Sequence, residues 1–234
     1  MRKSIAVLLF SLCAFIGNEQ NNDWANFARY QKEDEAVSSA PVAILIGDSI
    51  TELWYMTDPA FFKENNYLGR GISGQASSQI LVRLTSDALN LKPKVVVILA
   101  GTNDIALNNG CVPLEHVFDN IVAMAQLTRA HGIVPLICSV PPSAKYGWRT
   151  NVDPVAQIRS LNSRLEEYSS KNGYLFLNYY PALATESGAF NPSFSKDGTH
   201  PTMEGYKVME PMLNEMITKA LKMYPKYQRK AVVR

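Results

Sequence analysis

The sequence predicts an α/β protein of three layers, α/β/α, with a central five-stranded parallel sheet. Two observations carry this. Short runs that are apolar throughout, as strands buried on both faces are, alternate with longer stretches whose apolar residues recur at spacings of three and four. Clusters of turn-forming and polar residues, Gly47-Asp48-Ser49 and Gly101-Thr102-Asn103-Asp104 among them, fall directly behind those runs, where open parallel sheets bind ligands.

In chain order, Arg2 and Lys3 precede an apolar stretch over 5–16, too short to span a bilayer and shaped like a secretory signal. Residues 1–20 are therefore read as a signal peptide and the protein as exported, periplasmic or extracellular. Glu19 stands where a cleavage site has a small residue, and Leu12 before Cys13 is too bulky for a lipobox, which argues against lipidation. An amphipathic helix over 23–36 and a linker fill 21–40. Strands follow over 42–46, 67–70, 95–100, 133–139 and 175–178, the second of them weak. Helices occupy 78–91, 113–130, 154–170 and 203–223, each with an apolar stripe for the core. The domain spans 41–224, and 225–234, with Lys226, Arg229, Lys230 and Arg234, reads as a solvated basic tail.

Composition excludes several classes. The chain has 234 residues, 47% of them apolar, and a net charge of +2 with no polybasic stripe, so nucleic acid is not an implied partner. Three histidines and three cysteines, none at ligand spacing, imply no metal site, and no cofactor is expected. An oxidising compartment permits a Cys111–Cys138 disulfide, although two cysteines of unknown separation are more often unpaired thiols. The run Gly69-Arg70-Gly71-Ile72-Ser73-Gly74 satisfies the G-x-G-x-x-G dinucleotide fingerprint. It follows a weak strand, however, and no acidic residue ends the next strong one, so a tight turn is the better use of its glycines.

A serine hydroxyl attacks a carbonyl only with a base in reach and with donors for the oxyanion that forms. Of the three histidines, His116 lies inside the 113–130 helix and His131 at its end, ordinary helix positions. His200 is different, because Asp197 precedes it by three residues in Asp197-Gly198-Thr199-His200-Pro201, close enough to bind one ring nitrogen and fix the tautomer. By itself the same pattern also fits an Asx turn capping the last helix.

Four separated blocks together resemble the SGNH, or GDSL-type, esterase and lipase family: Gly47-Asp48-Ser49-Ile50-Thr51, Arg70-Gly71-Ile72-Ser73-Gly74, Gly101-Thr102-Asn103-Asp104 and Asp197-Gly198-Thr199-His200-Pro201. Ile50 stands where the family label has Leu. The resemblance covers about 41–221 and implies a flavodoxin-like SGNH hydrolase fold. It implies Ser49 as nucleophile, His200 as general base and then acid, and Asp197 as the residue orienting His200. Its oxyanion hole would comprise the N–H groups of Ser49 and Gly74 and the side-chain amide of Asn103.

Substrate contacts are expected from Trp54, five residues beyond the serine, and from Tyr146, Trp148 and Arg149 in the loop after the 133–139 strand. Aromatic rings there could stack on a sugar or flank an acyl chain. Glu52 and Asp104 are expected to brace neighbouring turns. With no apolar lid helix and no long insertion between blocks, the expectation is hydrolysis of short acyl esters, acetyl above all, on carbohydrate or another small soluble alcohol. The alternatives are a lysophospholipase or thioesterase acting on longer chains, or a catalytically silent glycan-binding module. A binder would need no base beside a serine.

Overall fold

A computed structural model describes residues 23–232; the expected signal peptide and Cys13 lie outside the described residues. The elements are α1 (Ala28–Glu35), β1 (Ala43–Gly47), α2 (Ser49–Thr57), α3 (Pro59–Asn65), β2 (Tyr67–Gly71), α4 (Ser77–Asp87), β3 (Val95–Leu99), α5 (Thr102–Ile105), α6 (Leu114–Ala130), β4 (Val134–Cys138), α7 (Val155–Asn172), β5 (Leu175–Leu177), α8 (Tyr180–Leu183) and α9 (Met203–Arg229). All five strands are parallel, in the order β2-β1-β3-β4-β5.

The central strands read as apolar runs because both of their faces are covered. Ala43 and Leu45 of β1, Val95, Val97 and Leu99 of β3, and Val134 and Leu136 of β4 point into one core with Ile50, Phe61, Phe62, Met209, Leu213 and Ile217 of α2, α3 and α9. Ile44, Ile46, Val96, Ile98 and Ile137 point into the other, against Ile80, Leu84, Val117, Ile121, Ile158 and Leu161 of α4, α6 and α7. This is the three-layer arrangement that the alternating pattern predicts. The chain turns from β1 outward to β2 and then back across to β3, so the switch point of the sheet lies between β1 and β3.

Two glycines of the G-x-G-x-x-G run have structural reasons. A Cβ at Gly71 would overlap the Glu52 nitrogen and Asp48 oxygen of the α2 backbone, and one at Gly69 would meet the Tyr55 ring. The glycines let β2 and α2 pack closely; Gly69 and Gly71 lie within the strand, and of the expected tight turn only Gly74 is part.

The termini differ from expectation. The N-terminal helix is shorter than 23–36, because residues 23–27 form a turn in which Asp23 accepts from the Ala28 N–H at 2.9 Å. At the other end α9 continues through Pro225 to Arg229, so 225–229 is helix, with Lys226 and Arg229 exposed on it. Tertiary contacts outweigh the proline: Tyr227 is buried with the Arg129 guanidinium over its ring at 5.6 Å, Gln228 donates to the Gly132 carbonyl at 3.1 Å, and the Val232 N–H reaches Ala130 at 2.8 Å. Cys111 is exposed and Cys138 buried, and neither is in a disulfide.

Candidate active site

Ser49 is the first residue of α2, separated from β1 only by the N-cap Asp48, so its N–H is one of the orphan donors of a helix start. Asp48 caps that start by accepting the Ile50 N–H at 3.0 Å. The Tyr206 hydroxyl on α9 donates to the Ile50 carbonyl at 2.9 Å and ties the same turn to the opposite end of the chain.

The Ser49 hydroxyl lies 2.9 Å from His200 Nε2, and His200 Nδ1 lies 2.7 Å from Asp197 Oδ2. With the ring proton on Nδ1 donated to Asp197, Nε2 is left to accept from the serine. The other Asp197 oxygen accepts the His200 N–H at 2.8 Å, the Thr199 N–H at 2.9 Å and the Ser195 hydroxyl at 3.2 Å. Partial burial opposes ionisation of Asp197, but the bonds from the His200 ring and from the two backbone N–H groups outweigh it and hold the carboxyl at about 2. The carboxylate is thus an anchored acceptor.

Gly74 takes a left-handed conformation, φ 80°, with open space where a Cβ would project. Asn103, at the start of α5 behind β3, donates Nδ2 to the Gln75 carbonyl at 3.0 Å. Arg83, wholly buried, donates to Gln75 Oε1 at 2.6 Å and to the carbonyls of Gly47 and Arg70 at 2.8 and 2.9 Å, joining the ends of β1 and β2 to that same residue. Its charge is met by Asp87 at 2.9 Å. Asp104 braces α4 by accepting the Ser77 N–H and hydroxyl at 2.8 and 2.6 Å, and Glu52 braces the Gly74 turn through Ser73.

Beside the serine, burial lifts the Asp48 carboxyl to about 6, against the pull of the Ile50 N–H and of His200. His116 and His131 stay away from the serine: the first faces Asp119 at 3.7 Å on an exposed face of α6, and the second bonds the Leu127 carbonyl at that helix's C-terminus. Among the described residues no group of three His, Cys, Asp or Glu side chains could hold a metal ion.

An open cleft of about 320 Å³ joins Ser49, Gly74, Asn103 and His200 with Leu53, Ser73, Asn108 and Trp148. The Trp148 indole, 45% exposed, stacks beside the His200 ring at 6.1 Å. Trp54 is a correction. It is 1% exposed and lies in the core between Phe61 and Tyr206, with ring centroids at 5.7 and 5.2 Å, so it cannot touch a substrate in the cleft. Tyr146 is likewise fully buried, supporting Trp148 from behind at 5.2 Å. Arg149 is spent on the carbonyls of Ala106 and Leu107.

Leu53 and Asn108 were not singled out from the sequence. Leu53 follows Ser49 by one helical turn, so i+4 spacing identifies it, whereas Trp54 falls about 140° round the helix from Ser49. Asn108 carries no comparable signal.

The description "GDSL-like lipase/acylhydrolase family" belongs to the family model that matches residues 45–208. The chain belongs to this family, and so to the carboxylic ester hydrolases. Solved structures agree. A GDSL-like lipase of Bacteroides thetaiotaomicron is 44% identical with a TM-score of 0.82, covering 85% of this chain and all of that one. A Bacteroides fragilis protein is 42% identical with a TM-score of 0.83, covering 85% and 99%. An acetyl xylan esterase, 17% identical with a TM-score of 0.61 over 74% and 98%, shares the fold. An uncharacterized lipoprotein of Bacillus subtilis is 33% identical over 78 residues, so the chain matches about a third of that curated relative's length.

Proposed function

We propose that the protein is an exported serine esterase that removes short acyl groups, acetyl above all, from carbohydrate or another small soluble alcohol. The observation that carries the chemistry is the Ser49–His200–Asp197 chain of contacts at 2.9 and 2.7 Å. Ser49 Oγ attacks the ester carbonyl as His200 Nε2 takes its proton, and Asp197 stabilises the imidazolium through Nδ1. The N–H groups of Ser49 and Gly74 and the Asn103 amide receive the oxyanion. His200 returns the proton to the departing alcohol, then activates the water that hydrolyses the acyl-enzyme.

The short-acyl preference is supported by the shape of the cleft. It is small and open, and its apolar lining is confined to Leu53 and the exposed Trp148 face, enough for an acetyl group and a sugar ring rather than a long chain. A protein of the same fold is named as an acetyl xylan esterase. Export is supported by the shape of residues 1–20 and by the likeness to a Bacillus lipoprotein; no described helix is long and apolar enough to cross a membrane.

The test is hydrolysis of p-nitrophenyl acetate, butyrate, octanoate and palmitate by wild type and Ser49→Ala. Serine-dependent turnover that peaks at acetate is expected. A peak at octanoate or beyond would move the assignment to lysophospholipid or thioester substrates, and turnover that survives Ser49→Ala would overturn the nucleophile.

A further inference from the structure

Residues 23–36 precede the stretch matched by the family model, and they contribute little core: Ala25 and Tyr30 are buried, while Trp24 and Phe27 are about half exposed. Their polar contacts are unusually concentrated. The Asp34 carboxylate accepts from Arg70 Nε and Nη2 at 2.8 and 2.5 Å, and that buried guanidinium also lies over the Tyr30 ring at 4.7 Å. The Tyr30 hydroxyl donates to the Gly71 carbonyl. Gln75 and Gln79 donate their side-chain amides to the carbonyls of Ala25 and Trp24, both at 2.7 Å. Arg29 donates to one Glu52 oxygen at 3.2 Å, while the other accepts the Ser73 N–H at 2.8 Å and the Ser73 hydroxyl at 2.5 Å.

Apart from Arg29, which reaches Ser73 only through Glu52 of α2, these contacts fall on residues 70–79, and together they hold the turn directly at Gln75 and indirectly at Ser73, on either side of Gly74. Gly74 itself has no side chain to hold it and an open, left-handed backbone. A donor to an oxyanion is useful only within about 2.7–3.1 Å of where the charge develops, and a glycine turn left to itself is free to wander from that position.

We infer that residues 23–36 form a clasp whose task is to position the Gly74 N–H, with Tyr30, Arg29 and Glu52 as positioning residues for the oxyanion hole. The inference rests on the reading of the protein as a serine esterase with Gly74 as an oxyanion donor. The clasp acts on the transition state: loosening it lowers turnover while ground-state binding in the cleft, which uses Leu53 and Trp148, is preserved.

The experiment compares full-length wild type, Tyr30→Phe, Arg29→Ala and, as a control on an exposed face of the same helix, Lys32→Ala, all at 25 °C with folding checked by circular dichroism. With p-nitrophenyl acetate, Tyr30→Phe and Arg29→Ala are expected to lose about tenfold in kcat with KM within about twofold of wild type, and to bind phenylboronic acid, a tetrahedral adduct former, more weakly by a similar factor. Lys32→Ala should match wild type. A lower Tm with wild-type kcat and boronate affinity would reduce the clasp to a structural support and overturn the proposal. If Tyr30→Phe does not fold, the partly exposed Arg29→Ala decides. Ser49→Ala is assayed alongside: if it retains turnover the esterase mechanism itself fails, whereas an inactive Ser49→Ala beside fully active clasp variants defeats only the clasp.

Discussion

Asn108 donates its side-chain amide to the Asn103 side-chain oxygen at 2.6 Å, so that Oδ1 is engaged away from the amide nitrogen. With Oδ1 engaged and one Nδ2 hydrogen held by Gln75, the second Nδ2 hydrogen is left for the cleft. Asn108 is held in turn by the Trp148 indole N–H, which donates to its oxygen at 2.9 Å, so Trp148 and Asn103, the proposed oxyanion amide, share one support.

Asn108→Ala should therefore lower kcat about tenfold with little change in KM, measured by steady-state kinetics on p-nitrophenyl acetate. A raised KM at unchanged kcat would make Asn108 a substrate contact instead.

Trp54 and Trp148 should separate stability from activity. Trp54→Ala empties a stacked core position and is expected to cost about 3–5 kcal/mol by urea denaturation. Trp148→Ala should leave the urea midpoint almost unmoved and raise KM for acetylated oligosaccharides more than for p-nitrophenyl acetate. Similar midpoints for both variants would contradict the placement of Trp54.

Asp197 and Asp48 should give stability opposite slopes with pH. Asp197 is held at about 2, below its unfolded value near 3.8, so its contribution is full above pH 4 and is lost as pH falls toward 2. The Tm advantage of wild type over Asp197→Asn should shrink across that window. Asp48 is raised to about 6, so the folded protein holds a proton that the unfolded chain has released, and stability present below pH 4 is lost as pH rises to 6. Asp48→Asn keeps the cap acceptor and should gain Tm relative to wild type between pH 4 and 6. Parallel Tm profiles for wild type and Asp48→Asn would refute the raised carboxyl.

Ser49→Ala should reduce kcat by at least about 10⁴-fold with the fold intact, and no acyl-enzyme mass should be trapped on it. Acylation of the variant would place the nucleophile elsewhere.

The strands were legible because β1, β3 and β4 are buried on both faces, leaving continuous apolar runs such as Val95–Leu99. The four motifs were legible because each needs particular residue types at a strand end or in one loop, and the fold brings them to one cleft. What was lost depends on direction in space. Nearness to Ser49 in sequence suggested Trp54, but helical rotation carries it into the core. The charges of Lys226, Arg229, Lys230 and Arg234 suggested a free tail, but α9 runs on through Pro225, and Tyr227 and Gln228 dock it against the end of α6. Asn108 acts through a side-chain pairing that no local pattern encodes.

The three donors proposed for the oxyanion follow β1, β2 and β3, which are adjacent in the sheet. Backbone hydrogen bonding spaces those strand ends at about 4.8 Å, and within that frame only the Gly74 turn, three residues past β2, is left for the proposed clasp to hold. The proposed base has no such guarantee, since Asp197 and His200 ride on a loop outside the sheet, held by the Asp197 and Ser195 side chains and by the Thr202 N–H on the Phe194 carbonyl at 2.7 Å. The machine therefore has one half of fixed gauge and one half that is adjustable, and lengthening the loops around the cleft can change the alcohol it accepts while leaving the geometry that receives the negative charge untouched.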